Sequence, residues 1–286
     1  MKSMDCSKLS DTSNVLGYSG VCIAAEKSHI LHNSLVILQQ ENHFRRTYYW
    51  GQINGALRDY HIAYGYEKDC LNGQKYFYSL DCLEWLLMPK SNKCGRFLAP
   101  LAVTAFEGDP STVTNVFNMN PPFPPNEDNE DSSKLFNGPV PRELKEEDRL
   151  SAIVELINED AMIIPRGGWF KRPTGEIIEN LAFEGLSPSE SVDEKSYLHA
   201  RAPQQKWSTN LLTRPDYNYA VDFLDSIDTD VPKGCWNLQI HQGGSLAVLQ
   251  SLYWPGMTFY HRVNSPHYGA LYVGHGKKNL DVPFMI

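Results

Sequence analysis

The sequence predicts an α+β fold: a predominantly antiparallel sheet, ending in a C-terminal meander, with N-terminal and central helices packed on it. Apolar residues recur at helical spacing at 31–38 and again at 150–157. Strand-like runs cluster at 48–87 and 236–273. The connections within each cluster are too short for crossover helices, and such strands pair antiparallel with their neighbours.

The N-terminal segment, residues 1–45, is predicted to be helical. Leu31, Leu35 and Leu38 fall at i, i+4 and i+7, so they share one face of a helix. Residues 46–286 are predicted to form the main α+β domain, and the N-terminal helix is predicted to pack on its sheet.

The first strands of that domain lie between residues 48 and 87. An aromatic run at 48–50 is followed by the turn dipeptide Asn54-Gly55, and alternation resumes at 60–64. A third apolar run spans 76–87 and ends at Pro89, because proline cannot donate a hydrogen bond to a sheet ladder. These runs predict a small antiparallel sheet.

A Pro-rich and acidic segment at about 107–145 interrupts the domain. Its prolines at 121–125 precede the acidic run 126–131. Proline disrupts ladders and like charges repel, so we predict an extended, solvated loop. The alternative is a docking segment whose proline-rich part lies on a partner.

The central helix has the clearest pattern in the chain. Its predicted buried face consists of Leu150, Ile153, Val154 and Ile157. Its predicted solvent side consists of Arg149, Glu155, Asn158 and Glu159. A strand at 162–164 then ends in a turn, and Ser187 with Glu190 predicts a capping box at the start of a short helix.

The C-terminal region predicts a meander of about four strands. Apolar residues alternate from Trp236, a turn follows at Gly243-Gly244, and the chain returns at 245–252 before turning again at 254–256. The residues expected to supply core contacts are Trp236, Leu238, Ile240, Val248 and Leu252. The pattern is compatible with one sheet divided by the helical insert and equally with two sheets.

Composition excludes several classes of protein. With 26 Lys and Arg against 34 Asp and Glu in 286 residues, the net charge of −8 argues against general nucleic-acid binding. No apolar run approaches the roughly 20 residues that span a bilayer, so membrane insertion is not predicted. The 6 cysteines form no C-x-x-C pair, which is typical of reduced thiols in the cytoplasm. The 15 Tyr, 12 Phe and 6 Trp exceed what a catalytic site needs and favour a role in contacts between proteins.

No catalytic, cofactor-binding or metal-binding residue is predicted. The C-terminal histidines are interpreted as solvent-facing strand positions, with a metal site as the alternative: His241, His261, His267 and His275. Cys70, Cys82 and Cys94 recur at even spacing but lack a close ligand pair, and Cys82 is predicted to be a buried thiol.

An acidic stretch near residue 225 superficially matches a calcium loop, but it lacks the central glycine and the closing glutamate. We interpret it as a solvated amphipathic turn containing Asp222, Asp225, Asp228 and Asp230.

Long segments of the chain resemble the radial spoke head protein 9 family of the ciliary axoneme. They are YYWGQINGALRDYHIAYG (48–65), YSLDCLEWLLMP (78–89), IIPRGGWFKRPTGEIIENLAFEGLS (163–187), DFLDSIDTDVPKGCWNLQIHQGG (222–244) and the remainder of the chain, 245–286. The Trp-Pro-Gly turn and the glycine–lysine–asparagine ending are also similar to radial spoke head proteins 4 and 6.

The resemblance implies a non-catalytic structural component of the spoke head, in the cytoskeleton of the cilium or flagellum. The implied partners are proteins of the 4 and 6 type, the spoke stalk and, transiently, the central pair apparatus. The implied role is assembly of the spoke head and mechanical signalling between the central pair and the dyneins. No cofactor is implied. Two alternatives are a soluble adaptor outside cilia that binds through its proline-rich loop, and a cytosolic enzyme that uses the C-terminal histidines.

Overall fold

One large sheet organises the molecule. The computed structural model describes residues 4–5, 15–17, 23–118, 140–204 and 215–285. The sheet has nine strands: β1 (Met4–Asp5), β2 (Arg46–Ile53), β3 (Tyr60–Tyr66), β4 (Lys75–Ser79), β5 (Leu86–Leu87), β12 (Trp236–His241), β13 (Leu246–Ser251), β14 (Met257–Arg262) and β15 (Tyr268–Gly274). Their order is β12-β13-β14-β15-β2-β3-β4-β5, and β1 pairs with β2.

The two predicted sheet-forming regions are therefore joined. The C-terminal meander β12 to β15 and the N-terminal strands β2 to β5 are each antiparallel throughout. The join is the parallel pair β15–β2, in which Tyr272 lies opposite Gly51. A sheet that is almost wholly antiparallel, with helices packed on it, confirms the predicted α+β class.

A β-bulge at the join explains the spacing of the apolar residues in β2. The register between β2 and β3 shifts between Tyr49 and Gly51. An extra residue in one strand changes which face the following side chains occupy. Trp50 and Ile53 consequently enter the same core cluster although they are three positions apart. Tyr49 faces the opposite side of the sheet, in the second core cluster.

Helix α1 (Ala25–Glu41) covers one face of the sheet. Leu31, Leu35 and Leu38 are buried, as their spacing predicts, and they share a cluster with Tyr49 and Ala63 of the sheet. The division of the chain into a segment 1–45 and a domain 46–286 stays a prediction.

The opposite face is covered by the central helix, α3 (Glu146–Ala161), and its apolar side is buried as predicted. The predicted solvent side was wrong for Arg149, which is 1% exposed. Its guanidinium lies 4.2 Å from the centroid of the Phe106 ring and donates to the Thr104 carbonyl at 2.7 Å. A stacked aromatic ring and a carbonyl acceptor compensate a buried cation, which periodicity alone cannot show.

Smaller elements surround this framework. Two-stranded sheets pair β6 (Val113–Asn118) with β7 (Val140–Lys145), β8 (Ile163–Pro165) with β11 (Tyr197–His199), and β9 (Trp169–Lys171) with β10 (Ile177–Glu179). Three short α-helices also lie in the described part of the chain: α2 (Lys93–Leu98), α4 (Pro188–Ser191) and α5 (Val282–Met285). The predicted capping box is confirmed at the start of α4.

The predicted loop at 107–145 needs correcting at both ends. Residues 113–118 and 140–145 pair as antiparallel strands over their whole length. Val116 and Leu144 of this pair are buried but Val113 is 48% exposed, so the apolar residues do not all lie on one face and the sequence shows no clear alternation. The proline-rich and acidic runs lie at 121–131, outside the described residues.

The predicted core of the meander is confirmed only in part. Trp236 and Val248 are buried and Leu238 is half-buried, but Ile240 is 39% and Leu252 is 37% exposed, so both were wrong. Ile240 lies toward the end of a strand at the sheet edge, where one flank has no neighbouring strand in the described chain. Leu252 lies just beyond the end of β13. Alternation assigns a residue to a face but does not show whether that face is covered at its position.

Candidate interaction surface

The predicted histidine positions do not converge on a site. His275 is exposed and His241 and His267 are half-buried, but His261 is fully buried, so its predicted solvent-facing position was wrong. Its Nε2 accepts a hydrogen bond from the Leu186 backbone amide at 3.3 Å. Burial lowers the pKa of His261 to about 4. His261 is therefore a neutral core residue at physiological pH.

The cysteines are also dispersed. Cys82 is buried as predicted, and burial raises the pKa of its thiol to about 11. Cys70 is buried as well, whereas Cys94 is half-buried. A thiol with a raised pKa is a poor nucleophile at neutral pH. Across the described ranges, no group of three or more His, Cys, Asp or Glu residues is arranged to hold a metal ion.

The acidic stretch is not the solvated turn that we predicted. Asp222 and Asp225 are buried. Asp222 accepts hydrogen bonds from the guanidinium of Arg166 at 2.6 and 2.8 Å, and Asp225 accepts one from Arg201 at 2.8 Å. A buried carboxylate requires a partner of opposite charge, and both arginines precede the stretch by more than 20 residues, which single-sequence spacing does not reveal.

A third aspartate of the stretch anchors the sheet edge. Asp230 accepts a hydrogen bond from Trp236 Nε1 at 2.8 Å, and its other carboxylate oxygen lies 2.9 Å from His199 Nε2. Trp236 is the first residue of β12, so this carboxylate fixes the point at which the edge strand begins. The acidic stretch is a structural brace.

The outer side of β12 is an open sheet edge. The hydrogen bond from the Leu252 amide to the Cys235 carbonyl fixes the alternation along β12. In an antiparallel ladder, groups of every second residue point toward the partner strand and the others point away. The backbone groups of Trp236, Leu238 and Ile240 therefore point away from β13, and in the part of the chain that the structure describes no strand pairs with them.

Exposed apolar residues lie on three segments of the chain that are connected near the beginning of β12. We define the C-terminal apolar patch as Val231, Leu252, Leu280, Phe284 and Met285, of which Val231 and Phe284 are 82% and 88% exposed. Hydrogen bonds of Tyr253 connect the segments that carry these residues.

Two bonds of Tyr253 make these connections. Its hydroxyl donates to the Val231 carbonyl at 2.9 Å, and its carbonyl accepts from the Asn279 amide at 2.8 Å. Apolar side chains gathered on a surface mark contact sites. The signal in the sequence was the apolar run at 282–285, which belongs to a four-residue helix that buries Val282 and leaves Phe284 and Met285 exposed.

A groove of about 720 Å³ lies at the other end of the sheet. It runs between β4, the segment after β5, and helix α3. Its apolar lining includes Leu71, Tyr76, Leu87, Met88, Val154 and Ala200. The two residues of β5, Leu86 and Leu87, are both exposed. The protein therefore presents apolar surface at both ends of its sheet.

Comparison with known proteins identifies the family. The chain is 37% identical to a radial spoke head protein 9 homolog from Bos taurus and 36% identical to one from Homo sapiens. Each alignment spans 286 residues and covers 99% of this chain and 100% of the relative. The chain belongs to the radial spoke head protein 9 family. A homolog from Danio rerio is 36% identical over 284 residues, again 100% of its length.

The radial spoke head protein 9 resemblance seen in the sequence is thereby confirmed. No protein-family model matches the chain. Because the alignments cover 99% of the chain, they include the edge strand β12 as well as the central strands of the sheet. Within the described residues, no helix is both long and apolar enough to cross a membrane.

Proposed function

We propose that this protein is a non-catalytic structural component of the axonemal radial spoke head in cilia or flagella, and that it acts through protein contacts. The observation that carries the proposal is the 37% identity to a radial spoke head protein 9 homolog over 99% of the chain. The abundant exposed apolar surface, at the C-terminal apolar patch and beside β5, supports a protein that is buried against neighbours.

The packing between sheet and helix suits a load-bearing part. Tyr60 donates to Glu146 at 2.7 Å, and Trp50 Nε1 donates to Asn158 at 2.7 Å. Trp254 Nε1 donates to Asp160 at 3.0 Å. These bonds fix both ends of helix α3 to the sheet. Because directional bonds resist sliding of a helix across a sheet, the two layers move together under load.

The proposed partners are spoke head proteins of the 4 and 6 type and the spoke stalk, with transient contact to the central pair apparatus. Stable contacts would assemble the head, and the transient contact would pass mechanical signals from the central pair toward the dyneins. The net charge of −8 supports an electrostatic contribution to the transient contact, since complementary charge accelerates association more than it strengthens it.

Two experiments decide the proposal: locating the protein in the cell and removing it. A tagged copy should distribute along axonemes and co-purify with the other spoke head proteins. Cells that lack the protein should have incomplete spoke heads and abnormal beating. Intact heads and normal beating without it would contradict the proposal.

A surface variant tests whether the C-terminal apolar patch itself contacts the other spoke head proteins. Phe284→Asp places a charge in the C-terminal apolar patch, whereas Leu181→Asp places the same charge at an exposed leucine far from the patch in sequence. We expect the first to reduce co-purification with spoke head proteins and the second to leave it unchanged. Deletion of residues 121–131 distinguishes the adaptor alternative, because an adaptor that binds through its proline-rich loop would lose its partners and a spoke head component would keep them.

A further inference from the structure

The open edge at β12 has the properties of a pairing strand, and among the residues that the structure describes it lacks the usual protection against pairing. Edge strands are normally blunted by lysine, proline, a bulge or a very short length. The six residues of β12 contain neither proline nor lysine, and their register with β13 is unbroken. Their residue types, Trp-Asn-Leu-Gln-Ile-His, alternate apolar and polar without a formally charged carboxylate or amine.

We propose that β12 pairs antiparallel with β12 of a second copy of this chain, which continues the sheet across a two-fold axis. This inference goes beyond the proposed function and does not depend on it, because it concerns the purified chain alone. The two strands pair in a single register. The backbone groups that point outward belong to Trp236, Leu238 and Ile240, so hydrogen-bonded pairs must form between these residues.

Two-fold symmetry then places Leu238 opposite Leu238 of the second copy, and Trp236 opposite Ile240. The Leu238 pair forms once and the Trp236–Ile240 pair forms twice, and each pair exchanges two backbone bonds, which gives about six bonds across the axis. The two-fold arrangement is isologous, so the same strand supplies both halves of the contact.

The side chains agree with this register on both faces of the sheet. On one face, the 39%-exposed Ile240 would lie beside the indole of Trp236, and the half-buried Leu238 beside its own counterpart. On the other face, Asn237 would lie opposite Gln239, so amides meet amides. No like charges oppose each other along the ladder, which is the usual obstacle to pairing of identical strands. Since β12 has no formally charged carboxylate or amine, it offers no charge that would attract a charged strand of another protein. This favours a second copy of the chain as the partner.

Cysteine crosslinking tests the register directly in the full-length protein. Opposed residues of a hydrogen-bonded antiparallel pair have Cα atoms about 5.5 Å apart, within the range that a disulfide spans. Leu238→Cys should therefore crosslink two chains under mild oxidation. Ile240→Cys should not, because its counterpart would lie about 14 Å away along the strands. The unmodified chain controls for its own cysteines, which are buried or half-buried where described.

Solution mass tests the association itself. Sedimentation of the unmodified protein over a concentration series should show a species of twice the 32.5 kDa chain mass. Ile240→Lys should raise the dissociation constant at least about tenfold, because an apposed charge would be buried without a partner. Leu181→Lys makes the same change at an exposed leucine outside β12 and should leave it unchanged. Unfolding midpoints of both variants verify that they remain folded.

The outcomes are distinct. Doubling of mass with crosslinking at 238 and not at 240 supports the pairing. A monomer at every concentration overturns it, and so does a dimer that Ile240→Lys leaves intact, or one that crosslinks equally at both positions. None of these results bears on whether the protein resides in spokes, which the location experiment decides.

Discussion

Replacing Gly51 by alanine should separate the two halves of the sheet. Gly51 has φ +147°, which L side chains rarely adopt, and it pairs with Tyr272 at the parallel join. A Cβ atom at this position would lie 2.1 Å from the Tyr272 carbonyl oxygen. The contact is between backbone and Cβ, so no side-chain rotation can relieve it, and the strands themselves must move apart.

The magnitude follows from two contributions. Holding a non-glycine residue in a sparsely populated backbone region costs about 1–3 kcal/mol, and forcing extra volume into a packed site costs about 1–3 kcal/mol. Gly51→Ala should therefore reduce the free energy of unfolding by about 2–6 kcal/mol, with about 4 as the central value. Domains are stable by only about 5–15 kcal/mol, so this is a large fraction of the total.

Gly73→Ala is the matched control. Gly73 has φ +82°, but no atom lies within 4 Å of the Cβ that alanine would add. Only the backbone cost of about 1–2 kcal/mol applies there. The difference between the two variants measures the clash at the join.

Urea unfolding followed by tryptophan fluorescence is a suitable assay. Trp50 precedes Gly51, and its ring centroid lies 5.2 Å from that of Tyr272, so it reports on the join. Hydrogen exchange should also accelerate in the peptides covering 46–53 and 268–274 in Gly51→Ala but not in Gly73→Ala. Equal destabilisation by the two variants, with unchanged exchange at the join, would refute the reasoning.

Two further predictions concern burial. Trp236→Ala should cost about 3–5 kcal/mol because the ring is buried, whereas Ile240→Ala at the open edge should cost less than about 1 kcal/mol; thermal unfolding of the two variants checks this, and similar losses would contradict it. Burial lowers the pKa of His61 and of His261 from 6.5 to about 4, so the unfolded chain binds more protons between these values and stability is lost as pH falls through that window. His261→Gln retains an acceptor for the Leu186 amide and should reduce the slope of stability against pH by up to about 1.4 kcal/mol per pH unit; an unchanged slope in urea titrations at several pH values would show that His261 does not titrate this way.

Local patterns predicted the elements well. The spacing of Leu31, Leu35 and Leu38 located helix α1, and the apolar face at 150–157 located helix α3. The turn signals at Asn54-Gly55 and Gly243-Gly244 separate strands that do pair antiparallel. These features depend on contacts between residues near in sequence or on backbone geometry, so periodicity and turn chemistry are enough to find them.

Burial of individual polar residues could not be predicted in this way. Arg149 and His261 were assigned to solvent but are buried. The Arg149 guanidinium stacks on the Phe106 ring and donates to the Thr104 carbonyl. His261 accepts a hydrogen bond from the Leu186 amide. These partners are distant in sequence, and no residue pattern in the chain marks them as partners. A polar side chain is buried only where the fold supplies a partner, and the partner is known only from the fold.

Sequence patterns alone were enough to predict the α+β class, the antiparallel strand clusters and the principal helices, and the chain's long similar segments indicated the radial spoke head protein 9 family. Only the folded chain shows that β15 and β2 join the clusters in one sheet, that β12 is left at its edge, and that Val231 and Phe284 are exposed. The reason is physical. Periodicity records which side of an element is apolar, but edges and surfaces are defined by what is absent beside an element, and only the assembled chain shows that.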